Sequence, residues 1–327
     1  MTDNTYPIDV FIPWVNPDDD KWYLDYCEAC KTHNGDKSPQ RIRDFGTFRY
    51  LLRSIDKNMP WVNKIHILLY SKTQIPEWLN VFDSRIEVHM HTDICNSSFN
   101  QLYFTRFIGN IKDLAEHFIY LCDDQIILMP MQPEDWFANG VPIDDATTSL
   151  VFSSNPCDEA NLIKQGLTYT KQISGHTLDF FQRIVKNSIF LAGAVTGNVN
   201  IYKNPHVGIS CLKSEYARYM NALAKQLDVM FKDYWFRTDS QVIPHWLYRY
   251  IRLTIGNYVQ HDMSDRIYRE ITTSNVDFIH NDYNRGYKLC CLNDILRSDD
   301  SFKEAKQNVC NALQELFPDA TRFEVSS

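Results

Sequence analysis

The chain has 327 residues, 44% of them hydrophobic and 23% charged, which is enough for one large α/β domain with insertions or for two small domains. A formal net charge of −8 excludes general nucleic-acid binding, which needs a basic surface to release counterions. No apolar run approaches the roughly 20 residues that span a bilayer, and Met1 to Pro7 lacks the basic and apolar stretches of a signal peptide, so a cytoplasmic location is expected.

Ile8-Asp9-Val10-Phe11-Ile12-Pro13-Trp14 reads as a buried first strand, followed by a polar turn from Val15 to Asp20. Trp22 to Lys31 has helical spacing. Between Gly46 and Lys57, the side chains of Phe48, Leu51, Leu52 and Ile55 share one helix face, which should be buried. Arg49 and Arg53, four apart, stand together on another side of that helix. Pro60 ends it. Lys64–Tyr70 and Arg85–Met90 read as further buried strands, and a helix over Asn110–His117 is expected to feed a strand beginning at Phe118. Strands alternating with helices in this way predict an α/β fold with a mostly parallel, helix-covered sheet. Beyond Met131 the helical patterns lengthen, at Asp179–Lys186, Lys213–Phe231 and Gln241–Leu253. They predict a helical cap on the sheet, with a cleft between the two parts. Ser188 to Val195 is apolar but too short to span a membrane and reads as core. Nine cysteines follow no disulfide framework, and Cys27-Glu28-Ala29-Cys30 has no second CxxC at zinc-finger spacing, so reduced thiols are expected.

The segment Phe118-Ile119-Tyr120-Leu121-Cys122-Asp123-Asp124 carries the most chemistry. An apolar strand running into Asp-Asp brings two anions to a sheet edge, where open α/β folds hold ligands. Adjacent carboxylates repel, and a cation between them relieves that repulsion. Carboxylate oxygen suits Mg2+ or Mn2+, ions that commonly arrive with phosphates attached. A solvated Asp-Asp turn is the alternative. Trp14-Val15-Asn16-Pro17-Asp18, after the first strand, could hold a base or a sugar, or be a polar turn shaped by Pro17. Arg41-Ile42-Arg43-Asp44, with Arg49 and Arg53, could converge on a diphosphate or form ion pairs to Asp44 or Asp56. Arg237 stands ahead of the helix from Gln241, where backbone N–H groups already favour an anion. Of ten histidines, His206 is the candidate base; the other nine read as ordinary core or surface residues.

In this order, the segments resemble the Stealth family of sugar-1-phosphate transferases, nearly end to end. That family spans bacterial capsule-forming phosphotransferases and the animal lysosomal-enzyme N-acetylglucosamine-1-phosphotransferase. Ile8 to Asp18 is similar to the family's IDVVYTWVNGSD, Arg41 to Ile55 to its RYRDNGELRYSLRSI, and Gln74 to Asn80 to its QIPSWLN. Phe99-Asn100, Phe118–Asp124 and Pro133–Phe137 resemble FNS…FIYLNDD…PEDFF. Pro205-His206, Phe236-Arg237, Cys291–Asp294 and Leu316–Glu324 resemble the histidine, FR, CLND and FPxPSxFE segments. Cys122 replaces the Asn before the Asp pair, Phe45 and Thr47 replace the Asn and Glu of DNGELR, and Thr105 stands where a Glu belongs. The acidic residue usual after FR falls near Ser240 and Gln241.

The resemblance implies a single catalytic domain with a GT-A-like core over 1–140, a helical cap over 141–270, and a C-terminal segment, 271–327, packed back on the core. It implies attack by a saccharide hydroxyl on the phosphorus next to the sugar of a nucleotide-diphosphate sugar, releasing nucleoside monophosphate. Asp123 and Asp124 would hold Mg2+ or Mn2+, with His206, Arg237, Asp124 and Asp9 catalytic. Trp14, Asn16, Asp18, Arg43, Asp44, Arg49, Arg53 and Asn100 would contact substrate. A GT-A-like glycosyltransferase releasing nucleoside diphosphate, or a non-catalytic glycan binder, are the alternatives. Peripheral docking on a membrane polysaccharide-assembly complex is compatible with this reading, and the sequence sets no oligomeric state.

Overall fold

The computed structural model describes residues 6–151, 199–202, 206–238 and 241–325. The expected helix at 179–186 and the apolar stretch 188–195 lie outside them. In chain order the elements that build the site are β1 (Ile8–Pro13), α1 (Asp20–Thr32), α2 (Thr47–Asn58), β2 (Ile65–Leu69), β3 (Ile86–Met90), β4 (His117–Tyr120) and β5 (Gln125–Ile127). They continue with β6 (Val141–Asp144), β7 (Ile209–Leu212), α3 (Lys213–Ala222), α4 (Ala224–Met230), α5 (Pro244–Ile255), β8 (Arg266–Ile271), β9 (Leu289–Asp294) and α6 (Asp299–Leu316).

The central sheet has the order β7-β4-β1-β2-β3, parallel except for the β7 edge strand. All six residues of β1 and all five of β2 are buried, as continuous apolar runs covered on both faces should be. The chain leaves β1 toward β2 and β3 on one side and returns to β4 on the other. The crevice at the strand ends between β1 and β4 is therefore the topological switch point, where open α/β sheets bind ligands. A second sheet, β8-β9-β5, joins there, because β5 follows β4 directly and pairs antiparallel with β9.

The apolar face expected for α2 is buried: Phe48, Leu51, Leu52 and Ile55 are each at most 1% exposed. The Asp44 carboxylate accepts the Gly46 and Thr47 N–H groups at 2.7 and 3.3 Å and so serves the helix entrance. Gly46 itself sits at φ +80°, a region that favours glycine. α6 packs on α2 and closes the chain over it.

Two expected elements differ. Instead of a helix over Asn110–His117 there is a 3₁₀ turn at Thr105–Asn110, then irregular chain to β4. Ile111 and Leu114 are buried at helical spacing, but the backbone groups are engaged elsewhere. Ala115 N–H donates to Asp9 at 2.7 Å, and the Lys112 and Leu114 carbonyls accept from Lys213 Nζ. The strand into Asp-Asp also ends early. β4 stops at Tyr120, Leu121 N–H donates once more to Phe11 O, and Cys122 to Asp124 form a turn closed by Gln125 N–H on Cys122 O.

Candidate active site

A cavity of about 380 Å3 opens at the switch point. Its walls come from eight parts of the chain. The loop before α2 supplies Gln40, Arg41, Arg43, Asp44, Phe45 and Thr47, and the turn after β4 supplies Cys122, Asp123 and Asp124. Opposite in sequence, His206, Arg237, the start of α5 (Ile243, His245, Trp246), Tyr268 of β8 and the end of β9 (Leu292, Asn293, Asp294) complete it with Gln101 and Leu102. Four pocket expectations thus fall together with the metal pair: Asp123, Asp124, His206, Arg237, Arg43 and Asp44 share one cavity.

Asp124 is the least satisfied of them. Its Oδ2 lies 3.5 Å from Cys291 Sγ, whereas Oδ1 is buried and accepts no hydrogen bond. Burial holds its carboxyl up at about 6, and burial followed by the Asp124 and Asp44 charges holds Asp123 well above the ordinary carboxylate range. A raised carboxylate pair with one buried oxygen left without a hydrogen bond fits a hard cation. Among the described residues no group of three or more His, Cys, Asp or Glu side chains could hold a metal, so the pair fits an ion completed by substrate phosphate oxygens and water.

His206 is held tightly. Its backbone is left-handed at φ +54°, its carbonyl accepts Gln125 Nε2 at 3.1 Å, and its ring stacks on Tyr268 at 5.0 Å with Trp246 edge-on at 5.4 Å. Burial, then the Arg237 charge, pushes the imidazole down to about 4, so it is neutral at pH 7 and able to take a proton. The first residues of α5 also face the cavity and turn a helix N-terminus toward any anion inside it.

Other expected site residues do structural work. Asp9 sits at the opposite end of β1, fully buried, with its oxygens accepting from Asn63 Nδ2, Lys64 N–H and Ala115 N–H and paired with His66 Nε2 at 3.0 Å. It does not line the cavity, and its expected catalytic role is corrected to that of a sheet anchor. Arg49 and Arg53 do stand together, but on Glu324: Arg53 Nε and Nη2 donate to its two oxygens at 2.6 and 2.9 Å, and Arg49 Nε donates at 2.5 Å. Neither reaches the cavity, because the closing motif of the sequence occupies both. Arg43 lines the cavity, yet its guanidinium is engaged by Asp294, Asp299 and Leu296 O, with Phe302 at 4.5 Å beneath. Trp14 is 6% exposed, stacks on Phe48 and donates to Asp44 at 3.3 Å, so it backs the wall rather than forming it. Asn16 accepts the Asp18 N–H at 3.1 Å in a turn outside the cavity, with Asp18 exposed. Asn100 is buried, caps Leu102 N–H, and donates to Phe236 O and Gln241 Oε1.

The cavity also contains residues that single-residue reading passed over. His245 stacks on Tyr120 at 4.3 Å, and Tyr268 and Trp246 flank His206. Asn293 and Asp294 end a strand in the CLND segment, and a strand ending in a carboxylate was the signal that could have found them. Of the departures from the family pattern, Phe45 packs on Phe302, Thr47 bonds Asp44, Thr105 Oγ1 donates to Gln101 O, and Cys122 faces the cavity.

Residues 41–143 match the family model for Stealth protein CR2, conserved region 2. The capsular polysaccharide phosphotransferase WcwK of Streptococcus pneumoniae is 27% identical over a 339-residue alignment that covers 98% of this chain and 99% of that protein. The exopolysaccharide phosphotransferase cps2G of Lactiplantibacillus plantarum is 26% identical over 343 aligned residues, covering 99% and 98%. A solved galactosyltransferase, LgtC, in complex with donor and acceptor sugar analogues, aligns at a TM-score of 0.44 with 9% identity, covering 96% of this chain and 98% of that one. Residues 41–143 thus carry a Stealth conserved region, and the chain is similar along nearly its whole length to capsular and exopolysaccharide phosphotransferases.

Proposed function

We propose that this protein transfers a sugar-1-phosphate from a nucleotide-diphosphate sugar to a saccharide hydroxyl in a capsular or cell-surface polysaccharide. The observation that carries the reading is one cavity holding a carboxylate pair with one unbonded oxygen, a neutral imidazole and a guanidinium. The names of the relatives, capsular and exopolysaccharide phosphotransferases, support the same class.

The acceptor oxygen attacks the phosphorus next to the sugar, and the bond from that phosphorus to the bridging oxygen breaks. Nucleoside monophosphate leaves, and the hydroxyl proton passes to His206 Nδ1 or Nε2. Asp123 and Asp124 would hold Mg2+ or Mn2+, which supplies charge neutralisation on the diphosphate when bound. Arg237 and the N-terminus of α5 stabilise the equatorial oxygens. Asp44 fixes the wall through Trp14 and α2. No helix among the described residues is long and apolar enough to cross a membrane. We place the enzyme at the cytoplasmic side, docked peripherally on a polysaccharide-assembly complex.

The test is nucleotide release from UDP-, GDP- and CDP-sugars with Mg2+ or Mn2+ and a capsular oligosaccharide. Monophosphate appearing only with acceptor supports phosphoryl transfer, whereas diphosphate moves the attack to the anomeric carbon. His206→Ala should cost about 10²- to 10⁴-fold in turnover. Near-normal turnover in that variant would remove the base assignment.

A further inference from the structure

Arg237 stands on a segment without regular secondary structure, yet four successive carbonyls of that segment are gripped. Ser98 Oγ donates to Tyr234 O at 2.5 Å, Phe99 N–H to Trp235 O at 3.1 Å, and Asn100 Nδ2 to Phe236 O at 3.1 Å. The fourth, Arg237 O, accepts the Asp36 N–H at 2.8 Å. The loop that carries Asp36 presses on the same segment elsewhere. His33 stacks on Trp235 at 4.9 Å, and Lys37 Nζ lies 5.4 Å from the centre of the Phe236 ring. Gly35 is in the close approach: at φ +139°, a Cβ there would meet Phe236 Cβ at 2.5 Å and Arg237 O at 2.8 Å. Only glycine allows the loop this near.

The Asp36 side chain makes a second connection. Its Oδ2 accepts Arg41 Nε at 2.6 Å and its Oδ1 accepts Ser38 N–H at 3.0 Å. Arg41 lines the cavity alongside Arg237. One residue therefore holds the backbone of one cavity arginine by its N–H and the guanidinium of another by its carboxylate. Arg43 lies on the same wall, but its donors are engaged by Asp294, Asp299 and Leu296. A diphosphate carries two phosphoryl groups to neutralise, and guanidinium forks match them.

We propose that Asp36 is a positioning residue shared by two arginines, through the Arg237 carbonyl and the Arg41 guanidinium, and that Arg41 is a second phosphate-facing cation beside Arg237. This rests on the reading of the cavity as a diphosphate site. Gly35 is the steric condition for it, since any side chain there pushes the Arg237 segment off the loop.

The probe is inorganic pyrophosphate with Mg2+, titrated calorimetrically into the full chain, with donor turnover followed in parallel and melting curves as the folding control. Arg41→Ala should weaken pyrophosphate about tenfold and Asp36→Asn roughly fivefold, whereas Asp36→Asn/Arg41→Ala should be no weaker than Arg41→Ala alone. Arg41→Lys should keep part of the affinity. Gly35→Ala should weaken pyrophosphate and lower donor turnover together, the pattern expected of Arg237→Ala. Wild-type affinity in Asp36→Asn, or strict additivity in the double variant, overturns the proposal, and the melting curves check that each variant folds. Arg237→Ala separates the two levels. If it binds pyrophosphate and turns over like wild type, the diphosphate reading itself fails. If it is impaired while Asp36→Asn and Arg41→Ala are not, only the shared positioning fails.

Discussion

Asp9, fully buried, and Asp124, half-buried, are carboxylates of the same sheet layer at opposite ends of its strands, and they are held in opposite ways. Burial alone would raise Asp9, but donors from His66, Asn63 and Ala115 outweigh it and hold its carboxyl below the ordinary value. Asp124 has a thiol contact and an oxygen without a hydrogen bond, and burial leaves it raised to about 6. The difference lies in the number of donors. A carboxylate with its lone pairs filled is part of the framework; one left short is available to a ligand.

The comparison predicts where each substitution should be felt. The largest expected effect is on chemistry: Asp124→Asn should lower turnover by about 10³-fold or more while leaving the melting temperature unchanged or higher, because it relieves repulsion with Asp123. A variant with normal turnover would return the Asp pair to a solvated turn. Next, Asp9→Ala should cost about 3 kcal/mol in urea unfolding, since it strands buried His66, with the folded fraction keeping its specific activity. Loss of activity without loss of stability would restore Asp9 to the site. A smaller effect concerns ions. Mg2+ at a hundred times its Kd should stabilise the wild type by about 2.7 kcal/mol and leave Asp123→Asn and Asp124→Asn unmoved. Equal stabilisation of all three proteins would place the ion elsewhere.

The smallest effect is a pH signature in metal-free buffer. Asp9, with its folded value depressed, contributes stability that is present above about pH 4 and is lost as pH falls through the folded value. Asp124 is raised, so its ionisation weakens the folded state as pH climbs from about 4 through about 6. Unfolding free energies of Asp9→Asn and Asp124→Asn relative to wild type should therefore change in opposite directions between pH 3 and 7. Parallel curves would erase the distinction.

Little of this contrast was legible in the sequence, although much of the scaffold was. The apolar runs of β1, β2 and β3 and the i, i+3, i+4, i+7 pattern of α2 are local, and local periodicity reports them directly. The Asp pair was legible as a ligand-seeking feature because repulsion between neighbours is also local. Hydrogen-bond donors are not. Those that satisfy Asp9 come from Asn63, His66 and Ala115, and the Glu324 that occupies Arg49 and Arg53 is nearly a whole chain away. The helix expected over Asn110–His117 failed for the same reason, since Asp9 and Lys213 take backbone groups that a helix would need.

The Glu324 clamp also fixes when the molecule can be finished during synthesis. Arg53 waits 271 residues for its carboxylate, and Arg43 waits 251 for Asp294. At about 5–20 residues per second, that is roughly 15 to 55 s in which α2 has left the ribosome with its buried arginine unpaired. The wall of the cavity and the clamp on its main helix therefore form late, only after the residues up to Asp294 and Glu324 have been made.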